Sequence, residues 1–398
     1  MRGKAVILII DGAAGWPDEV AGGMTALEAA RTPNLDRLAC TSTVGMVQTV
    51  PDGMEPSSAV ACMSVLGFDP RVYYAGRGPI EALALGIALK PGQAALRCNL
   101  VTVLDGLMSN YTSGHIPSAE SHQLIRGLNG VLGTQRIVFH PGTGFRHILT
   151  VEQGDELLRT LCTPPHDIPD QPVVKYLPKG PGADLLLDLI EGSIDYLALH
   201  PVNQARVQRG EPPATQIWPF WPGMQAREMP SFASRYAVRA ALTTSVDLLR
   251  GIGRQVSLQL LDIAGVADTN INDFAGQMKG ALAALDEFDA VVVHVEAPDE
   301  AGHAGNLEDK LEAIELVDEL MVSQVMRCSS PPRLLVLPDH PTPLAVRTHV
   351  GEPVPFLMWE PGGGGNGATA YSESAGRRTG LVVAPGHLLM GRFLGISE

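Results

Sequence analysis

Three short aliphatic runs, each followed within a few residues by acidic side chains, constrain the fold of this chain more than any other feature. They cover Ala5–Ile10, residues 290–293 and residues 334–337. Unbroken apolar runs of this length are typical of parallel strands buried on both faces of a sheet. Candidate helices with apolar residues at helical spacing lie between them, at residues 26–38, 274–285 and 307–326. This alternation predicts an α/β fold with a mostly parallel sheet flanked by helices.

The middle of the chain has a different pattern. From about residue 107 to residue 182 the sequence holds short strand-like runs, at residues 136–139 and 147–151, separated by many turn residues. We therefore expect a core formed by residues 1–106 and 183–398. Residues 107–182 are predicted to form a smaller α+β domain inserted into that core.

Composition excludes several classes of protein. The 398 residues carry 43 acidic and 29 basic side chains, a net charge of −14, without a basic run, so nucleic acid is not an expected partner. No apolar run near the start approaches the roughly 20 residues that cross a membrane, and no signal-peptide cleavage site is visible. Five scattered cysteines, none in a Cys-x-x-Cys pair, argue against a disulfide framework or a zinc ribbon. We expect a cytoplasmic protein without membrane contact, and the oligomeric state stays open.

The residues that follow the three aliphatic runs are of the types that bind metals. They are Asp11 after the first run, Asp299 and His303 after the second, and Asp339, His340 and His349 after the third. Because ligands bind beyond the carboxyl ends of strands in such sheets, these side chains are expected to lie close together. One aspartate after a strand usually caps a helix or a turn, but three acidic strand ends favour a metal site. Carboxylate combined with imidazole suits Mn²⁺ or Zn²⁺ better than Ca²⁺.

Ser58 is the candidate nucleophile. It lies in a stretch of small residues that precedes an apolar helical segment. A serine that opens a helix has backbone N–H groups nearby that can hold an anion. The other interpretation, an ordinary helix N-cap, is the one that the local pattern alone favours, and only the metal-binding residues nearby favour a nucleophile.

A series of motifs in order along almost the whole chain resembles one known family. The motifs are residues 8–12 (LIIDG), 32–36 (TPNLD), 66–70 (LGFDP), 76–82 (GRGPIEA), 97–99 (RCN), 164–168 (PPHDI), 200–203 (HPVN), 293–303 (VHVEAPDEAGH), 338–343 (PDHPTP) and 347–349 (RTH). Together with Ser58 they are similar to the archaeal-type, cofactor-independent phosphoglycerate mutases of the alkaline phosphatase superfamily.

The resemblance implies an alkaline-phosphatase-like core and a site for two divalent ions, with Mn²⁺ expected and Zn²⁺, Co²⁺ or Mg²⁺ as alternatives. One ion would be held by Asp299, His303 and His349, and the other by Asp11, Ser58, Asp339 and His340. Ser58 would attack phosphorus, and the resulting phosphoserine would return the group to the other hydroxyl of glycerate. This sequence of steps interconverts 3-phosphoglycerate and 2-phosphoglycerate.

The resemblance also implies how a small phosphorylated acid would be held. The inserted domain would act as a lid that keeps water away from the phosphoserine. Asn99, Arg146, Asn203 and Arg206 lie in family-like segments, and we expect them to contact the substrate.

Three departures from the family pattern leave an alternative open. Ala59 stands where the family usually has aspartate, and the segment from Met108 to His115 lacks the arginines of a substrate-binding motif. The segment Asp268-Thr269-Asn270 is not followed within a few residues by the usual lysine, since the first lysine is Lys279. Loss of charged hydrogen bonds worth about 1.5–3 kcal/mol each would weaken binding of phosphoglycerate. The alternative is a phosphatase or phosphotransferase for another small phosphorylated or phosphonylated acid.

A third interpretation is a binding protein without catalytic activity. It is disfavoured because all seven expected metal-site residues, Ser58 included, are present. Fold resemblance alone does not decide between these functions.

Overall fold

The secondary structure comes from a computed structural model, which describes residues 3–17, 19–20, 22–224 and 228–396. The strands are β1 (Ala5–Ile10), β2 (Thr43–Val47), β3 (Gln93–Leu104), β4 (Leu107–Asn110), β5 (Ile137–His140), β6 (Arg146–Glu152), β7 (Gln216–Met224), β8 (Ala240–Thr243), β9 (Gln259–Leu260), β10 (Ala290–Val295), β11 (Arg333–Leu337), β12 (Val354–Trp359) and β13 (Val382–Val383). The α-helices are α1 (Ala26–Ala29), α2 (Pro33–Ala39), α3 (Ser58–Val65), α4 (Pro70–Tyr73), α5 (Arg77–Ala84), α6 (Ser118–Val131), α7 (Ala183–Leu199), α8 (Pro201–Gln208), α9 (Phe232–Tyr236), α10 (Asp247–Gln255), α11 (Phe274–Ala284), α12 (Ala297–Ala304), α13 (Leu307–Leu316), α14 (Ser323–Arg327), α15 (Glu373–Arg378) and α16 (Leu388–Leu394). Short 3-10 helices cover Asp155–Arg159, Pro165–Asp167 and Val173–Lys175, and a π-helical turn covers Val317–Val322.

The chain divides into two units. Residues 1–74 and 228–398 form the core unit, and residues 75–227 form the inserted unit. The insert is therefore wider than the predicted residues 107–182. The reason is strand pairing, because β3 pairs antiparallel with both β6 and β7 and draws the flanking segments into the inserted unit. Such pairing between distant segments cannot be recognised from a local sequence pattern.

Eight of the described strands form the sheet of the core unit, in the order β13-β2-β12-β11-β1-β10-β8-β9. The central strands β11, β1, β10 and β8 run parallel, and β12 is antiparallel to both of its neighbours. Every residue of β1 and β10 is buried, as expected for aliphatic strands covered on both faces. The mixed α/β fold with a large, mostly parallel sheet is confirmed.

The register of the central strands positions the site. Ile10 of β1 is opposite Val295 of β10, and Ile9 is opposite Leu337 of β11. Since these strands are parallel and end at the same level, the residues that follow them emerge together at one edge of the sheet.

Two of the predicted helices differ in detail from the structure. The segment at residues 26–38 is divided into α1 and α2 because Thr32 precedes Pro33 and has a non-helical backbone, with φ −121° and ψ 59°. The segment at residues 307–326 is α13 and α14 joined by the π-helical turn. Among the described helices, none is both long enough and apolar enough to cross a membrane.

The inserted unit has its own sheet and core. Its strands follow the order β4-β3-β6-β5, and β7 also pairs with β3, antiparallel, along residues 94–101. Leucine and isoleucine side chains of α6 and α7 pack with apolar residues of β3, β6 and β7 in one cluster. The two predicted strands correspond to β5 and β6, with ends shifted by one residue, so the prediction of strands here is confirmed.

Acid sensitivity of the chain is expected to depend on one histidine of this sheet. His147 of β6 is buried, and its Nδ1 accepts a hydrogen bond from the Gly142 N–H at 3.0 Å. Burial lowers the pKa of His147 to about 3. The unfolded chain binds this proton near the ordinary value of about 6.5, so stability falls as the pH drops from about 6.5 towards 3. The variant His147→Asn keeps an acceptor for Gly142, and its melting temperature between pH 7 and pH 5 should fall less than that of the wild type. Equal falls would contradict the prediction.

Candidate active site

The first group of candidate ligands follows β1 and β11. Asp11, Asp339 and His340 are fully buried, and the Asp11 N–H donates to the Val295 carbonyl at 2.9 Å, which extends the ladder between β1 and β10. The His340 Nε2 lies 3.6 Å from an oxygen of Asp11 and 3.3 Å from an oxygen of Asp339. The parallel register therefore brings together ligand types that are about 330 residues apart in the chain.

Ser58 belongs to this group. It is the first residue of α3, and its Oγ lies 3.2 Å from the His340 Nε2. The side chain of Ser57, not that of Ser58, caps the helix by accepting from the Val60 N–H at 3.4 Å. The N-cap interpretation of Ser58 is therefore wrong, because the preceding serine serves as the cap.

The second group lies on α12 and in the loop after β11. Asp299 and His303 are one helical turn apart on α12, and the His303 Nε2 lies 3.2 Å from an Asp299 oxygen. The His349 Nε2 lies 3.5 Å from the other Asp299 oxygen and 2.9 Å from the His303 Nε2. The Nδ1 of His303 is 2.9 Å from the carbonyl of Arg347. An Nδ1–H donated to that carbonyl would leave the Nε2 lone pair available to a cation bound beside Asp299 and His349.

A glycine allows the two groups to approach each other. Gly12 has φ +62°, and a Cβ at this position would lie within 2.7 Å of Asp299 atoms. A larger residue would therefore separate the loop after β1 from α12.

The residues present fit divalent cations. Ligand atoms of Asp11, Asp339 and His340 lie within 4.8 Å of one another, as do those of Asp299, His340 and His349. One Asp11 oxygen, Oδ1, is buried and has no hydrogen-bond partner among the described residues. A buried, unpaired carboxylate oxygen is costly unless a cation or a donor faces it, so the donor set matches a metal site.

The pKa values of the site residues are shifted because several carboxyl groups are buried close together. Burial, together with the charges of Asp339, Glu296 and Asp299, raises the pKa of Asp11 well above its ordinary value. Burial also raises the pKa of Asp299, but hydrogen bonds with His303 and His349 outweigh this effect and hold its pKa well below the ordinary value. The hydrogen bond with Asp299 raises the pKa of His303 to about 9.

Sequence reasoning missed several residues of this site. His294 and Glu296 form a third close group with Asp11. The ammonium group of Lys310, fully buried on α13, donates to the carbonyls of Ala14 at 3.3 Å and Thr342 at 2.8 Å. It thereby ties the loop after β1 to the loop after β11. Two signals in the sequence could have identified these residues. His294 and Glu296 are polar residues in or next to a valine-rich run, and Lys310 is a lysine on the apolar side of a helix.

Two of the four predicted substrate contacts have structural roles. Asn203 is buried, donates both amide hydrogens to the carbonyls of Leu197 and Ala214, and accepts from the Ala214 N–H. Arg206 is 2% exposed and binds Glu120 and the carbonyl of Ser113. These bonds hold the inserted unit together, so the structure does not support Asn203 and Arg206 as substrate contacts.

The other two predicted contacts lie side by side in the inserted unit. Asn99 of β3 is opposite Arg146 of β6 in the ladder, and Asn99 accepts a hydrogen bond from the Arg97 Nε at 3.1 Å. Burial lowers the pKa of His166, Asp167 opposes this effect, and the charges of Arg77, Arg97 and Arg146 lower it further. Arg77 and Arg97 both bind Glu81, and Arg146 lies in the ladder opposite Asn99, so arginines from three elements of the inserted unit lie near one another.

The second departure from the family pattern, the arginine-free segment, has a structural context. The segment from Met108 to His115, which carries no arginine, comprises β4 and a turn stabilised by Asn110, whose Oδ1 accepts from the N–H groups of Thr112 and Gly114. Arg206 stabilises this turn by donating a hydrogen bond to the carbonyl of Ser113. An arginine is thus present here as a structural support.

An α/β sheet with a serine, carboxyl groups and histidines gathered at its carboxyl edge is typical of metal-assisted phosphoryl-transfer enzymes. Comparison with known proteins narrows this class. A sequence profile described as 2,3-bisphosphoglycerate-independent phosphoglycerate mutase matches residues 39–203. The chain is 41% identical over 391 residues to the protein of that name from Methanothrix thermoacetophila, covering 97% of this chain and 98% of the relative. It is 40% identical over 395 residues to a probable mutase of the same name from Geobacter sulfurreducens, covering 97% and 98%. The chain belongs to the family of 2,3-bisphosphoglycerate-independent phosphoglycerate mutases.

Solved structures confirm the fold. A protein from Pyrococcus horikoshii matches with a TM-score of 0.83 at 24% identity, covering 100% of this chain and 99% of that one. A cofactor-independent phosphoglycerate mutase from Thermoplasma acidophilum matches with a TM-score of 0.67 at 23% identity, covering 99% of each chain. At these identities the likeness establishes the fold alone.

Proposed function

We propose that this chain interconverts 3-phosphoglycerate and 2-phosphoglycerate by phosphoryl transfer through Ser58. The observation that carries the proposal is the position of the Ser58 Oγ, 3.2 Å from the His340 Nε2 and beside buried carboxyl groups, in a member of the mutase family. A phosphatase or phosphotransferase for a different acid is not favoured, because relatives that match nearly the whole chain carry the mutase name.

Two divalent ions would complete the site. Asp299, His303 and His349 would hold one ion, and Asp11, Ser58, Asp339 and His340 the other. Mn²⁺ is the first choice because the donor set mixes carboxylate oxygens with imidazole nitrogens. Ions at these positions would stabilise negative charge on the phosphoryl group and on the oxygen atoms that it exchanges.

The residues of the chain have distinct tasks in the reaction. The Oγ of Ser58 attacks phosphorus in line, so that an O–P bond to serine forms while the O–P bond to glycerate breaks. Ser58 opens α3, where backbone N–H groups at the helix start favour a bound phosphoryl anion. In the second half of the reaction the other hydroxyl of glycerate attacks the phosphoserine and restores the Ser58 hydroxyl.

The arginines of the inserted unit are our candidates for binding the substrate carboxylate. Arg146 and Asn99 retain the predicted role, and Arg97 and Arg77 join them. Glu81 binds both Arg77 and Arg97 and so fixes the orientation of their guanidinium groups. We propose that these cations replace the arginines that the segment from Met108 to His115 lacks, as the carboxylate of a phosphoglycerate would require.

Simultaneous measurement of 2-phosphoglycerate and free phosphate tests the proposed function. With Mn²⁺ and 3-phosphoglycerate, the protein should form 2-phosphoglycerate without releasing phosphate at a comparable rate. Release of phosphate alone would indicate a phosphatase. Absence of turnover with metal bound would indicate a different phosphoryl substrate.

Removal of the His303 imidazole should affect one of the two proposed metal sites and not the other. His303→Ala is expected to weaken the ion held with Asp299 and His349 and to leave the other ion bound, because the first group of ligands does not include His303. Metal content after gel filtration measures the change. His200→Ala, a helix-capping histidine of the inserted unit, is the matched control and should retain both ions. Equal metal content in all three proteins would refute the role of His303.

The role of the inserted unit and the localisation of the protein stay predictions. We predict that the inserted unit acts as a lid that excludes water from the phosphoserine, and that the protein is cytoplasmic. The five cysteines are free thiols, which is consistent with a reducing compartment.

A further inference from the structure

A chain of hydrogen bonds buried behind the first group of ligands connects Thr244 with Asp11. His294 of β10 has no exposed side-chain surface, and its Nε2 lies 2.8 Å from the Oδ2 of Asp11. On the opposite side of the ring, its Nδ1 lies 3.0 Å from the Oγ1 of Thr244, which directly follows β8. The three residues of this hydrogen-bonded series thus lie in or directly after three neighbouring strands, β8, β10 and β1.

The direction of the hydrogen bonds follows from the donors available. The Thr244 Oγ1 already accepts from the Val246 N–H at 3.0 Å, so its own hydrogen is free to point at the Nδ1 of His294. A ring that accepts at Nδ1 carries its hydrogen on Nε2, and the Nε2–H then donates to Asp11. With Asp11 ionised, as it would be beside a bound cation, the opposite tautomer would place a nitrogen lone pair against a carboxylate oxygen at 2.8 Å, which is repulsive.

The backbone of His294, like its ring, is fixed by hydrogen bonds. It pairs with Ile9 in the ladder between β10 and β1, and its carbonyl accepts from the buried Gln277 amide at 3.0 Å. Glu296 is the other carboxyl group near the ring, at 3.6 Å from Nε2, a longer approach than that of Asp11. The imidazole therefore has little freedom to turn away from Asp11.

We propose that His294 is a positioning residue for Asp11, and that Thr244 sets its tautomer. One oxygen of Asp11, Oδ2, is fixed by the Nε2–H, while Oδ1 lacks a hydrogen-bond partner among the described residues and lies 3.6 Å from the His340 Nε2. The carboxylate is thereby presented with its second oxygen towards the position of a cation. This inference rests on the proposed role of Asp11 as a metal ligand. It assigns a function to a histidine that contacts neither the proposed substrate nor, in this arrangement, the ion.

Four variants of the full-length protein test the hydrogen bonds from Thr244 through His294 to Asp11. His294→Leu removes the donor, His294→Gln keeps an N–H near the position of Nε2, Thr244→Val removes the hydroxyl, and Thr244→Ser retains it. Mn²⁺ titration of the chelator-treated protein, followed by the electron paramagnetic resonance signal of free Mn²⁺, gives the affinity of each site. We expect a loss of about 10-fold or more at one site in His294→Leu, and a loss in the same direction in Thr244→Val. Thr244→Ser and His294→Gln should stay within about 3-fold of the wild type.

A spectroscopic readout separates positioning from general support of the fold. Nitrogen-15 NMR of labelled histidine in the protein loaded with diamagnetic Zn²⁺ should show His294 with an unprotonated Nδ1. Thr244→Val should shift this signal towards the other tautomer, and Thr244→Ser should not. A loss of affinity without a change of tautomer in Thr244→Val would overturn the role assigned to Thr244.

Asp11→Asn distinguishes failure of the inference from failure of the proposed function. If Asp11→Asn loses one ion while His294→Leu and Thr244→Val bind like the wild type, the positioning role is refuted and the metal site stands. If all of these variants bind metal normally, the role of Asp11 itself is refuted. If His294→Leu loses an ion that Asp11→Asn retains, His294 is a ligand and the positioning role is refuted.

Discussion

Replacement of Ser58 by alanine is expected to reduce turnover of 3-phosphoglycerate to below about 1% of the wild-type rate while the fold stays intact. The change removes the oxygen that forms the bond to phosphorus and leaves the helix that carries it. The described hydrogen-bond partner of Ser58 is His340, and the start of α3 is capped by Ser57. A coupled assay for 2-phosphoglycerate measures the loss, and circular dichroism with a thermal melt measures the fold.

The preceding serine provides the matched control. Ser57→Ala removes the helix cap, which costs about 1 kcal/mol of stability, and keeps the nucleophile. We therefore expect the control to melt at a lower temperature but to retain activity, and Ser58→Ala to show the reverse. Residual turnover clearly above about 1% in Ser58→Ala would mean that another group attacks phosphorus.

The positions of the strand-end ligands could be predicted because they depend on local patterns. The aliphatic runs gave β1, β10 and β11 nearly to the residue, and the acidic residues after them lie at one edge because parallel strands end at the same level. The spacing of Asp299 and His303 predicted a shared helix face, and α12 confirms it. The proximity of Ser58 to His340 depends on packing between segments 282 residues apart, which no local pattern encodes.

The inserted unit was harder to predict for the same reason. Its boundary depends on β3 and β7, which pair with each other across more than 100 residues of sequence. The buried Asn203 and Arg206 were predicted as substrate contacts because a polar side chain in a family-like segment can serve either the fold or the ligand. Burial and bonding partners decide between these roles, and neither is visible in the sequence.

The electrostatics of the core unit explain why the missed residues are present. Asp11, Glu296, Asp299 and Asp339 gather at one sheet edge, where burial removes most of the water that would screen them. The buried ammonium of Lys310 lies between the loops that carry these residues and provides one compensating charge. Thr342 adds a neutral contribution by donating its hydroxyl to Asp299. Lys310 and His303, whose pKa Asp299 raises to about 9, would not balance four ionised carboxyl groups, so a cation at this edge would stabilise their ionised forms.

Metal ions should therefore stabilise the protein strongly. When Mn²⁺ is added to chelator-treated protein at about 100 times the Kd, each site is expected to contribute about 2.7 kcal/mol. For a unit of this size, each kcal/mol raises the Tm by about 2–4 °C, so two sites should raise it by about 10–20 °C. Differential scanning calorimetry with and without Mn²⁺ measures the shift, and potassium chloride at equal ionic strength controls for screening.

A double variant shows whether the shift originates at this edge of the sheet. Asp299→Asn combined with Asp339→Asn removes one carboxylate from each proposed site but keeps an oxygen acceptor at both positions. The hydrogen bonds from Thr342 to Asp299 and from the His340 N–H to Asp339 can therefore persist in the variant. We expect the Mn²⁺-induced rise in Tm to fall by more than half. A rise as large as that of the wild type would mean that Mn²⁺ stabilises the chain from another position, and that the carboxyl groups are balanced without the two ions.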